Sequence, residues 1–142
     1  MVEKFLKGVW VTLSILDIKR TIIKYIFFTI FILVFGQIYE HFSFGVISNY
    51  MIYAFLIPLI LGLLINVIIY FIKLVPSKMG SCLYNNGIIT LTVGSILKGV
   101  LDIYGTTNMY LKIYLYAGVL LIITGIILYI INIIKNYTFK II

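Results

Sequence analysis

Residues 113–134 read IYLYAGVLLIITGIILYIINII, without one Asp, Glu, Lys, Arg or His. A helix needs about 18 such residues to cross about 30 Å of hydrocarbon, so this stretch alone predicts a transmembrane span. Residues 50–72 and 79–97 are equally free of charge. Residues 25–39 reach spanning length once 21–24 are included, with Lys24 snorkelling to the headgroups. The expectation is an all-α membrane protein, a four-transmembrane-helix bundle with spans at about 21–40, 51–73, 81–104 and 112–134.

Hydrophobic side chains make up 63% of the 142 residues and charged ones 11%. Soluble domains average about 45–50% and about 25%, so an ordinary water-soluble core is excluded. The spans leave no length for a separate soluble domain. The division expected is a cytoplasmic N-terminal segment, 1–20, followed by a transmembrane domain, 21–142.

The net charge of +7 would suggest nucleic acid if the basic residues gathered on one face with aromatics between them. Instead they flank the spans. Lys4, Lys7, Lys19, Arg20 and Lys24 precede the first, Lys73 and Lys78 separate the second from the third, and Lys135 and Lys140 follow the fourth. Residues 40–50 have neither Lys nor Arg, and the connection after the third span has only Lys112. That alternation is the positive-inside pattern and predicts N-in/C-in topology. The partner it implies is the lipid bilayer, with no nucleic acid. The richness in Ile, Lys, Tyr and Asn points to an AT-rich bacterial genome, hence to a multi-pass protein of a bacterial cytoplasmic (inner) membrane. A signal peptide, with Ser43 and Gly45 as the small residues before its cleavage point, is the weaker reading of span one, because 24 residues precede its apolar run.

Cys82 is the only cysteine, which excludes an intrachain disulfide, a CxxC redox pair and a thiolate metal cage. No metal or cofactor is expected, and Cys82 reads as a small apolar residue near a helix end. No enzyme is expected either. Glu40 and His41 are adjacent, but a nucleophile, an orienting group and an oxyanion site cannot be named beside them.

Ahead of span one, Phe5, Leu6, Val9, Leu13 and Leu16 recur at helical spacing, with Lys4, Lys7 and Ser14 away from them and Trp10 suited to the headgroup level. Residues 4–16 are therefore expected to form a short interfacial amphipathic helix. In span two, Pro58 should bend the helix, while Gly62 and Asn66 share a face suited to close packing and an interhelical hydrogen bond. In span three, Gly87, Gly94, Lys98 and Gly105 lie within about 20° of one line along a helix, beside Ser95. A small and charged face is not a lipid face, so it should point into the bundle.

Lys98 lies about six residues, or about 9 Å, inside one end of span three, where an unpaired charge costs up to a few kcal/mol. Asp102 follows one turn later, with the cation N-terminal, the weaker order for such a pair. Glu40, of matching depth on span one, is the expected second acid, with His41 beside it. These four residues either pin helices together or form a polar pocket for an ion or small ligand. The leading functional expectation is an accessory, regulatory or immunity-type protein that binds another membrane component, be it another membrane protein or a second copy. The alternative is an oligomeric carrier or channel for a small polar solute or ion, using that pocket.

Overall fold

A computed structural model describes residues 2–72 and 77–141, with side chains described for residues 2, 16–72 and 77–135. Every regular element among them is helical: α1 (Val2–His41), α2 (Asn49–Ile52), α3 (Pro58–Ile72), α4 (Lys78–Ile103) and α5 (Leu111–Ile141). Leu16–His41, Lys78–Ile103 and Leu111–Lys135 are long and apolar enough to cross a membrane, with mean hydropathies of 2.0, 1.3 and 2.6. The lowest belongs to α4, the helix with the Asn, Thr and charged residues. The lead-in 4–16 continues into span one as one unbroken helix. The apolar stripe on Phe5, Leu6, Val9, Trp10 and Leu13 falls on side chains outside the described residues, as does Lys73.

The second apolar segment departs from the continuous helix expected over 51–73. One turn of helix, α2, is followed by a turn at 53–55 and then by α3, whose first half, Pro58–Leu64, is π-helical. Pro58 causes this twice over: it has no N–H to donate, and its ring crowds the carbonyl of Ala54 in an α-helical register. Widening the helix relieves the crowding and leaves carbonyls poorly matched, which side chains then meet. Tyr84 of α4 donates its hydroxyl to the Leu61 carbonyl at 2.8 Å, and Asn66 donates its amide to the Gly62 carbonyl at 2.7 Å. The interhelical bond expected of Asn66 is thus an intrahelical one. Gly62 does pack between helices, its Cα facing the Tyr25 ring of α1.

Glycines set the closest approach. A Cβ on Gly80 would stand 3.1 Å from the Gly125 carbonyl oxygen, one on Gly87 2.9 Å from that of Gly118, and one on Gly94 2.7 Å from Cβ of Tyr114. Repeats of seven on both strands of this antiparallel pair keep small residues on the shared face, so α4 and α5 meet backbone to backbone. Gly105 does not belong to that face. It has φ +71°, and its N–H reaches the Asp102 carbonyl at 3.2 Å while that of Thr106 reaches Leu101 at 3.0 Å. That is a Schellman C-cap: α4 ends before the line of small residues reaches Gly105.

The α2–α3 segment runs antiparallel to both α1 and α4, which are therefore parallel to each other. Along α1, Lys19 lies 5.6 Å from the Tyr70 ring centroid, Tyr25 meets Gly62, and Gly36 meets the Met51 carbonyl. Along α4, Asn85 accepts from Tyr25 at 2.8 Å, and Gly99 would clash with Met51 if it carried a Cβ, at 2.9 Å. Met51 (2% exposed) is clamped between Gly36 and Gly99, which fixes α2 beside α4, and Ala54 (0%) is buried in the turn that follows.

Candidate functional site

The two loops 42–48 and 104–110 lie at the same end of the bundle, since Ser48 donates to Asp102 Oδ2 at 3.4 Å. Beneath them, between α2, α4 and the start of α5, is a cavity of about 600 Å³. Ile57, Leu91, Leu101 and Leu115 form its apolar wall; Lys98, Asp102, Thr107, Asn108 and Lys112 form its polar rim. Gly94 contributes to the lining because it lacks a side chain. Ser95 also lines it and holds the neighbouring backbone, donating to the Tyr50 carbonyl at 2.9 Å.

Local sequence explains the placement. Lys98 and Asp102 are one turn apart on α4, and Gly99 between them allows α2 to press against the helix. Asn108 starts α5 by accepting from the Tyr110 N–H at 2.9 Å, which puts Lys112 in the first turn of a helix with no acidic residue there. Its first N–H groups are met by the carbonyls of Asn108, Met109 and Tyr110, and the terminus keeps the partial positive charge of the aligned peptide dipoles.

Among the described residues Lys98 pairs with no carboxylate, contrary to expectation. Its Nζ sits 3.7 Å from the centroid of the Tyr50 ring, and Asp102 is engaged by Ser48 instead. The physical reason is the clamp on Met51, which brings the adjacent Tyr50 over Lys98. An aromatic face stabilises an ammonium without neutralising it, by about 0.5–2 kcal/mol depending on hydration. Glu40 and His41 do not join this group. Half-buried Glu40 offers its backbone carbonyl to Ser43 Oγ at 2.7 Å, and exposed His41 sets its ring edge-on to Phe42, centroids 5.6 Å apart. Neither lines the cavity, whereas Lys98 and Asp102 both do. Among the described residues, no cluster of His, Cys, Asp and Glu is suited to a metal ion.

Sequence reasoning missed Ser48, Tyr50 and Lys112. A signal for Lys112 was present: it is, with Lys98, one of the two basic residues on the otherwise lysine-poor side of the spans. No sequence signal marks Tyr50, one of 12 tyrosines.

A helical bundle with several helices long and apolar enough to cross a bilayer, carrying a polar-rimmed cavity at one end, defines a multi-pass membrane protein. No protein-family model, curated protein or solved structure matches the chain.

Proposed function

We propose that the chain is a four-span, N-in/C-in protein of a bacterial cytoplasmic membrane, acting as an accessory, regulatory or immunity-type protein by binding another membrane component in this cavity. The fourth crossing is the α2–α3 segment. Its support is the antiparallel course of that segment along α1, from Met51 beside Gly36 to Tyr70 beside Lys19. On this topology the cavity lies on the outer side.

The observation that carries the reading is the cavity's division into an apolar wall within the spans and a charged rim at their end. A wholly polar solute would leave Ile57, Leu91 and Leu115 facing it, while a wholly apolar one would leave Lys98 and Lys112 without an anion. A molecule seated in the bilayer, apolar along its length and polar at its end, matches both. A photoactivatable amino acid at Leu115, which is 57% exposed, tests this in living cells. Crosslinks to lipid or to a membrane protein are expected, and irradiation yielding only water adducts would count against the reading.

The carrier or channel reading keeps one observation of its own: Ile57 of the cavity wall adjoins the π-helical start of α3, and such irregular helix is frequent where helices move or bind. Proton, cation or anion flux in vesicles reconstituted with the full chain would favour it.

A further inference from the structure

We propose that the cavity takes the phosphate headgroup of an anionic lipid-like amphiphile, with Lys98 and Lys112 on the phosphate and the upper acyl chain against Ile57, Leu91 and Leu115. This rests on the cavity reading above and adds the chemistry of its occupant.

Charge placement carries the argument. Of the 11 Lys and Arg residues, only Lys98 and Lys112 fall by sequence position at this end of the bundle, and both line this cavity. Their nearest acid, Asp102, is engaged by Ser48, and Glu40 lies outside the cavity. The rim therefore holds two cations against one carboxylate. The Tyr50 ring holds Lys98 at 3.7 Å while leaving its charge intact, and the first turn of α5 adds partial positive charge. An anion is the missing complement, and Thr107 and Asn108 add hydrogen-bonding groups on the same rim. A free anion would satisfy the rim alone. The apolar wall is continuous with exposed Leu115 on a spanning helix, so the tail of an amphiphile has a path into the surrounding hydrocarbon.

The test is a titration of the detergent-solubilised full chain, followed by native mass spectrometry. The probes are phosphatidic acid, phosphatidylglycerol, phosphatidylcholine, diacylglycerol and soluble glycerol 3-phosphate. The two anionic phospholipids should bind with at least about tenfold preference over diacylglycerol and phosphatidylcholine, a factor that one charge-assisted contact supplies. Lys112→Gln, at an exposed position, should lose about that factor while Lys135→Gln, far from the cavity, keeps native affinity. Lys98→Gln should lose a similar factor; if it fails to fold, Lys112→Gln decides alone. Equal affinity for all four lipids, or native affinity in Lys112→Gln, would overturn the phosphate assignment while leaving lipid occupancy of the cavity standing. Glycerol 3-phosphate binding as tightly as the lipids would overturn the amphiphile. A Leu115 photoprobe that captures neither lipid nor protein would instead remove the underlying cavity reading.

Discussion

Lys98 shows how a charged residue is kept within a spanning helix without an ion pair among the described residues. The i,i+4 spacing to Asp102 makes an ion pair look inevitable, but the cation stands N-terminal, and the geometry that wins is the aromatic face of Tyr50 at 3.7 Å. Tyr50 was illegible as a partner because its position depends on Met51 being clamped between Gly36 and Gly99, contacts that join residues far apart in sequence. A double-mutant cycle separates the two accounts. Lys98→Met with Tyr50→Leu should be non-additive by about 0.5–2 kcal/mol in detergent unfolding, whereas Lys98→Met with Asp102→Asn should add to within about 0.5 kcal/mol. Coupling to Asp102 and none to Tyr50 would restore the ion pair. Thr29 supplies a second prediction at this scale. Its hydroxyl is buried and lacks a hydrogen-bond partner among the described residues, so Thr29→Val should hold or raise the melting temperature, the gain reaching about 1 kcal/mol. A marked loss would mean that the hydroxyl is in use.

At the scale of the element, the informative residues are glycine and proline. The seven-residue spacing of Gly87 and Gly94 was legible as a small-residue face, and the α4–α5 seam uses it so, set against Gly118 and Gly125. The same periodicity misplaced Gly105, because an angular projection does not know where a helix stops; the positive φ of the C-cap was the competing demand. Pro58 announced a break but not its form. Whether the chain kinks or widens depends on donors from elsewhere, here Tyr84 to Leu61, a tertiary fact. Gly87→Leu should therefore be among the costliest single changes, since its side chain would meet the Gly118 carbonyl and Ile122 at under 3 Å. Overpacking of this kind costs about 1–3 kcal/mol or more. Gly45→Ala, with nothing within 4 Å and only φ +88° against it, should cost less, about 1 kcal/mol. Melting temperatures of the two variants give the comparison, and the reverse order would mean that α4 and α5 do not meet at this seam.

For the molecule as a whole, two independent asymmetries run along the same axis. The basic residues gather at the end where α1 enters, α3 leaves and α4 begins, and the aromatic and apolar loop residues Phe42, Phe44, Tyr104 and Tyr110 are exposed at the other. Exposed aromatics suit the headgroup level, so the second end is an interface rather than open water. On the proposed topology the first asymmetry is the one that orients the chain, because Lys and Arg near span ends resist translocation whereas acidic residues count for little. The charge asymmetry alone predicts that the cavity end faces away from the cytoplasm, which is where an anionic outer-leaflet headgroup would enter it. A Cys82→Ser background carrying Ile47→Cys should be labelled in intact cells by an impermeant thiol reagent, since Ile47 is 67% exposed in the loop before α2. The same background carrying Lys140→Cys should be labelled only after the cells are opened. Labelling of both positions from outside would mean an odd number of crossings, which the α2–α3 segment would explain by turning back before it traverses the bilayer. Labelling of Lys140→Cys alone would invert the molecule and place Lys98 and Lys112 beside the inner leaflet.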